Sequence, residues 1–486
     1  MATLPFGVFA PDLADLDTST TASILNCTPR GDGYGPFQDF AAFTAGLPDV
    51  CRGYFIARNN DGSVTCFAGT STNLYVLDNG TLDWNEVSKD GADYAGLPTD
   101  SHWQFAQFNS VVLATQPNVA LQRYTLGSST EFEDVAGSPP QARFITIVGR
   151  FVVLSGLLNN PFRVHWSALN DITGWTPGLD FSDYQDLPDG GRVLGVAGGE
   201  YGIILQESAI RRMTQALGSP LIFQIDRLSE DMGLYAPYSI VRAADTVLFL
   251  SSRGFQQISP GGYPVPIGKE KVDRTFFDDL DNGNLQLLIG AADPKGTRAY
   301  WAYKSNDGTA GQFDKMLGYD IALQQWFMIN QSGQYLATLV QPPRTLESLD
   351  EISGSLDDLP QSLDDYSTAA LAHISKMDEN NRLGFFNGPN MEAVIETGEK
   401  GGNGKRAFVR GVRPITDAPS VYCSVSKREN LQSAMTYSPE TAINIVGKCP
   451  QRSSARYSRI RVRIPAETVW TYATGVEPDV VQEGDR

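Results

Sequence analysis

Short runs of β-branched and aromatic residues, each bounded by Gly, Asn, Asp or Pro, recur along the whole chain, whereas apolar residues at helical spacing are scarce. Such runs predict strands, and they come in pairs. The first members are GYFIAR (53–58), HWQFAQF (102–108), ARFITIV (142–148), RVLGVAG (192–198), PYSIVRA (237–243), LQLLIGAA (285–292) and ALAHISK (370–376). Their partners are VTCFAG (64–69), VVLAT (111–115), FVVLS (151–155), GIILQ (202–206), TVLFLS (246–251), AYWAY (299–303) and LGFF (383–386). Taken at Cys66, Val112, Val152, Ile203, Leu248 and Tyr300, the second strands recur every 40 to 52 residues, and Phe385 follows after 85. An aromatic closes several units: Trp84, Phe132, Trp175, Phe223 and Trp326. Periods of about 40 to 50 residues with several strands each are those of propeller blades. The expectation is an all-β fold: a β-propeller of six to seven blade-like units over residues 51–398, followed after the EKGGNGKR linker (399–406) by a different strand-rich unit.

Composition agrees with a folded chain and adds an asymmetry. With 41% hydrophobic and 19% charged residues, disorder of all 486 residues is excluded. The net charge of −18 argues against a protein that grips duplex phosphate, which needs surplus Lys and Arg. That charge is uneven. TLESLDEISGSLDDLPQSLDDYS (345–367) repeats S-L-D triplets, and residues 346–380 hold nine acids against Lys376. Residues 405–463 hold twelve Lys plus Arg against Asp417, Glu429 and Glu440. Within that basic segment SRIRVRI (458–464) alternates, setting Arg459, Arg461 and Arg463 on one face and Ile460, Val462 and Ile464 on the other. Guanidinium groups about 7 Å apart along a strand suit carboxylates or phosphates. Two partners fit: the chain's own acids, or a separate acidic surface. The subunit-contact residues expected on the second reading are Arg456, Arg459, Arg461 and Arg463, with Asp350, Asp357, Asp358, Asp364 and Asp365 in the acidic insertion.

Catalytic and cofactor patterns fail on inspection, and no cofactor, metal or catalytic residue is expected. GGNGKR would need Gly at 399 and Ser or Thr at 406 to be a phosphate loop, but these are Glu399 and Arg406. GVAGGEYG (195–202) lies between two strands and reads as a hairpin turn, and DLDNGN (279–284) lacks calcium-loop spacing. The N-D-G cores of NNDGSVTCF (59–67) and SNDGTAGQF (305–313) fit tight turns. His102, His165 and His373 have no suitably spaced acid or nucleophile. Cys27, Cys51, Cys66, Cys423 and Cys449 form no CxxC pair and read as free, mostly buried thiols. MATLPFGVFAPDLADLD does not read as a secretory signal, and no apolar stretch is long enough to span a membrane.

Five segments carry a resemblance: VHWSALNDITGWTPG (164–178), DLPDGGRVLGVAGGEYGIILQESAIRRMT (186–214), VPIGKEKVDRTFFDDL (265–280), the acidic insertion (345–367) and ARYSRIRVRIPAETVWTYATGVEPDV (455–480). In these the chain resembles the tail nozzle, or tail tubular and hub, proteins of short-tailed bacteriophages, including the packaged-DNA stabilisation type. The resemblance implies a structural virion protein and no enzyme. It implies a propeller carried on a β-rich platform of N- and C-terminal segments (1–50 and 399–486), six copies around the tail axis, docked to an adaptor beneath the portal. Tail fibres or spikes are further partners, double-stranded DNA is the transient cargo, and assembly takes place in the host bacterial cytoplasm. An acidic lumen would repel the duplex and let it slide. The competing expectation is a carbohydrate- or receptor-binding propeller, adhesin-like or glycosidase-like, in which Trp103, Trp166, Trp175 and Trp301 would be sugar platforms; a plain scaffold propeller is a third.

Overall fold

The computed structural model describes residues 3–216, 222–293, 297–341, 371–401 and 405–483. Among them, seven four-stranded antiparallel units follow one another along the chain. Blade 1 comprises Tyr54–Arg58, Val64–Gly69, Leu74–Leu77 and Trp84–Glu86. The innermost strands of blades 2 to 7 are Gln104–Phe108, Ala142–Val148, Val193–Ala197, Val241–Ala243, Ile289–Ala292 and Tyr335–Gln341. The innermost strand of blade 7 lies against that of blade 1, so the ring closes. Turn chemistry sets the hairpins: in blade 1, Asp61 Oδ1 accepts from the Ser63 N–H at 2.8 Å, and Gly62 takes φ +86.

Blades bury one another through large aromatics. Trp103, at the start of blade 2, is 1% exposed, and its indole N–H donates to the Thr70 carbonyl of blade 1 at 2.9 Å. Gly69 permits this approach, because a Cβ there would stand 2.4 Å from the Trp103 ring. Blades 4 and 5 share Ile203, Leu205 and Ile210 with Val247, Phe249 and Ile258.

The seventh unit differs from the expectation by one strand. ALAHISK and LGFF belong to its second and third strands, Leu371–Met377 and Arg382–Phe385; its first is Tyr335–Gln341. The acidic insertion falls between the first and second strands, which displaces the pairs and produces the long interval. Its outer strand is Ala41–Gly46, paired antiparallel with Arg382–Phe385. The phenyl rings of Phe43 and Phe385 meet at 5.4 Å. A boundary at residue 50 is therefore too late for the amino-terminal segment, because closing the ring with this strand covers an otherwise open sheet edge. Lys376 also changes character: it is 4% exposed, and burial brings its ammonium down to about 8. Its Nζ donates to Gln331 Oε1 and the Ser332 carbonyl.

The platform is knitted from strands far apart in sequence. One sheet places Cys449–Ala455, Ala407–Thr416, Ala473–Gln482, Gly33–Pro36 and Cys27–Arg30 side by side, with Leu4–Pro5 on Ala473–Gln482. The other continues directly from blade 6. Its outer strand Gln325–Gly333 pairs in parallel with Ile24–Leu25, which is followed by Ala393–Glu396, Ile460–Ile464 and Tyr422–Lys427. Ala393–Glu396 thus belongs to the platform sheet, ahead of the expected boundary at 399. One apolar core runs from Phe255, Trp301 and Trp326 of the propeller to Val462, Ile464 and Trp470 of the platform.

Candidate functional site

Ile460–Ile464 alternates as its sequence requires: Ile460, Val462 and Ile464 are 4%, 0% and 0% exposed, while the arginines point the other way. Those arginines meet acids of their own chain. Arg459, 9% exposed, places Nη2 3.0 Å from Asp15 and Nη1 3.3 Å from Glu396. Arg461 Nε donates to Glu396 at 2.5 Å and its guanidinium lies 3.9 Å over the Tyr437 ring. Arg463 pairs with Glu440 at 2.7 Å and Glu392 at 3.0 Å, and Arg456 lies 4.0 Å from Glu429. Of the two partners that the sequence left open, these arginines meet acids of their own chain: Glu396 sits on the adjacent strand Ala393–Glu396, Glu392 directly precedes that strand, and Asp15 reaches in from the amino-terminal segment. Asp350, Asp357, Asp358, Asp364 and Asp365 lie outside the described residues.

The same holds for much of the basic segment. Arg428 pairs with buried Glu399, Arg406 with Glu429, and Arg410 and Lys448 with Asp479. Most of these acids lie outside residues 405–463, so a local surplus in sequence is balanced in space. Burial has a cost that shows in the acids: it raises the Asp15 carboxyl above its ordinary range against the opposing pull of Arg459. Burial, reinforced by Glu396, pushes the Tyr437 hydroxyl up to about 12 while it donates to that carboxylate at 2.9 Å. One signal for these partners was present in sequence. EAVIE (392–396) sets Glu392, Val394 and Glu396 on one face and Ala393 and Ile395 on the other, so an acid stands at each end of the face that can meet the arginines of RIRVRI.

The propeller axis is closed at the end where the inner strands begin. The His102 ring at the entry to blade 2 packs edge-on against Tyr238, before blade 5, at 4.7 Å and Tyr335 of blade 7 at 5.0 Å. Its Nε2 lies 2.7 Å from the Gln286 carbonyl at the entry to blade 6, and its backbone N–H donates to the Tyr238 hydroxyl at 3.0 Å. Phe144 of blade 3 reaches Tyr238, and Tyr54 of blade 1 reaches Tyr335. Contacts between blades three apart in a ring of seven cross its centre, so these side chains fill it. Burial, then the charge of Arg52, hold the His102 imidazole down to about 3. Sequence reading found no suitably spaced acid or nucleophile for His102 and had no signal for its partners, which lie up to 233 residues away in Tyr335.

Trp103, Trp166, Trp175 and Trp301 are 1%, 4%, 4% and 0% exposed, so none offers an open ring face to a sugar. The five cysteines are free and buried. Among the described residues no group of three or more His, Cys, Asp or Glu is placed to hold a metal ion, and no helix is long and apolar enough to cross a membrane. A groove of about 660 Å³ beside blade 5 is lined by residues including Asp12, Arg253, Lys269, Glu270, Asp273 and Arg274. Its charges are mixed, and burial lifts the Asp273 carboxyl to about 6 although the Phe255 N–H donates to it at 3.1 Å.

No family model matches the chain, and no curated protein matches it. Solved structures with some similarity include the extracellular domain of a hybrid two-component system from B. thetaiotaomicron, at 10% identity over 72% of this chain and 39% of that one, with a TM-score of 0.42. A quinonprotein alcohol dehydrogenase-like protein from Bacteroides thetaiotaomicron gives 14% identity over 59% and 68%, with a TM-score of 0.37. BamB from Moraxella catarrhalis gives 12% identity over 74% and 92%, with a TM-score of 0.36. The chain thus spans about two fifths of the length of the first of these.

Proposed function

We propose that the chain is the nozzle subunit of a short bacteriophage tail, a structural part whose copies form a ring that retains packaged DNA and conducts it during ejection. The observation that carries this reading is the platform. Both chain ends interleave in it, and one continuous sheet joins it to blade 6, which is the propeller-on-platform arrangement that the family resemblance implies. The filled axis fits the reading in a specific way: the duplex passes along the axis between copies and not through any single propeller. A net charge of −18 suits a wall that cargo slides past. Each charge contributes little, about 1 kcal/mol at 4 Å in water and screened beyond roughly 8 to 10 Å, but a ring repeats it.

Negative-stain imaging of the purified chain, alone and with a portal and adaptor complex from a short-tailed phage, tests the proposal. Rings that cap the portal assembly are expected. A chain that stays monomeric with the portal complex and binds glycans on an array would overturn it in favour of a receptor-binding propeller.

A further inference from the structure

Two lysines are buried among the described residues, and they are held differently. Lys304 pairs with the Asp281 carboxylate at 2.8 Å, the usual way to keep a buried ammonium. Lys376, on the second strand of blade 7, instead places Nζ 2.5 Å from Gln331 Oε1 and 2.6 Å from the Ser332 carbonyl, both on the outer strand of blade 6. Gln331 is itself 9% exposed, and its Nε2 donates to Asp39 Oδ1 at 2.6 Å. An amine, a carboxamide and a carboxylate from three segments of the chain therefore stand in one hydrogen-bonded line. The Phe40 and Phe386 rings face Nζ at 4.6 and 5.9 Å, so the amine is packed by apolar groups and little water reaches it.

This line holds the parts of an amide-forming reaction. A C=O bond is about 1.23 Å long, so Nζ lies within about 3.7 Å of Gln331 Cδ, close to the ~3–3.5 Å of a near-attack arrangement. Attack needs the free amine, and burial brings the Lys376 ammonium down to about 8 against the pull of Asp39, Asp378 and Glu379. In solution an amide resists an amine because the two rarely meet in the right orientation and nothing protonates the departing nitrogen. Here the amine is fixed beside the carbon, and a carboxylate is hydrogen-bonded to the nitrogen that would leave.

We propose that Lys376 and Gln331 condense into an amide cross-link, with Asp39 carrying the proton. The Nζ–Cδ bond forms and the Cδ–Nε2 bond breaks. Asp39 takes a proton from Nζ as it adds and returns one to Nε2, so ammonia leaves and the carboxylate is regenerated; nothing is oxidised or reduced. The product ties blade 6 to blade 7 and closes residues 331–376, with the acidic insertion between them, into a covalent loop. The reaction occurs once within each chain and is independent of how copies assemble.

Peptide mapping of the full chain after prolonged incubation at a pH of about 9, where the amine is free, tests the proposal. Trypsin does not cleave after an acylated lysine, so residues 316–344 and 345–382 are expected as one branched peptide, lighter than the two together by the mass of ammonia, about 17 Da. Asp39→Asn, which keeps an acceptor for the Phe40 N–H, and Lys376→Arg, which keeps a donor, are expected to give unlinked peptides; circular dichroism and melting curves establish that each variant is folded. Separate peptides from the wild-type chain, with normal cleavage after Lys376, would overturn the proposal. A loss of about 18 Da, which is water, would also overturn it by placing the bond on a carboxyl group. A folded Asp39→Asn chain that cross-links as fast as the wild type would remove Asp39 from the reaction and overturn the mechanism.

Discussion

The propeller and the platform are both β-structure, yet they are assembled on opposite plans. A blade such as Tyr54–Glu86 pairs neighbours in sequence and joins the next blade through apolar faces. The platform pairs Leu4 with Val476 and Leu25 with Met328, and it carries a buried chain of charges from Asp15 through Arg459 and Glu396 to Arg461. A repeated unit needs only local pairing and a face for its neighbour. A sheet drawn from both chain ends must bring distant strands together and hold them in register. Buried ion pairs serve that specificity better than stability, because removing one partner strands the other.

The comparison can be broken at the amino-terminal segment, which contributes strands to both. Deleting residues 1–50 removes Ala41–Gly46 from blade 7 and the amino-terminal strands from the platform, and the expected result is loss of the cooperative melting transition in calorimetry. A truncated chain that melts like the full one would show that neither plan depends on the amino-terminal segment. Glu396→Ala comes next. It leaves Arg459 and Arg461 without their shared carboxylate and is expected to cost about 3–5 kcal/mol in urea unfolding. Glu396→Gln, which keeps a hydrogen-bonding oxygen, should cost less. A cost below about 1 kcal/mol for the alanine variant would show that the platform charges are as weakly coupled as surface pairs.

On the propeller side the sensitive group is His102. Its imidazole is held down to about 3 when folded, against about 6.5 in the unfolded chain. The contribution of the neutral ring is therefore fully present above pH 6.5 and is lost as pH falls from 6.5 toward 3, where the unfolded chain takes up a proton that the folded chain refuses. Melting temperatures of His102→Phe should depend less on pH across that window than those of the wild type; equal slopes would mean that the ring accepts a proton in place. The smallest effect is expected at Asp273, whose folded carboxyl is raised to about 6. Its ionised form opposes folding increasingly as pH rises from about 3.8 to 6. Asp273→Asn, which keeps an acceptor for the Phe255 N–H, should raise the melting temperature at pH 7 and leave it unchanged below pH 3.8.

The blades were legible because each is written in consecutive residues. Alternating apolar runs, N-D-G turns and a near-constant period specify a strand, its partner and its repeat without reference to anything distant. The reading slipped by one strand at blade 7, where the acidic insertion separates Tyr335–Gln341 from Leu371–Met377 and removes the local cue. The Arg459–Arg463 ladder was equally legible as a pattern, but its meaning was not. Two hydrogen-bond partners compete for any arginine, and sequence alone ranked neither.

Sequence by itself determined the class of the fold, the period of its blades and the two faces of the Ile460–Ile464 strand, since all three follow from side-chain alternation and turn chemistry within a few dozen residues. Tertiary structure alone decided which acids neutralise which arginines, that Ala41–Gly46 closes the ring, and that His102, Tyr238 and Tyr335 fill its axis. Those outcomes depend on groups separated by up to several hundred residues. Their proximity is set by the closure of the ring and the crossing of the chain ends, which no local pattern encodes.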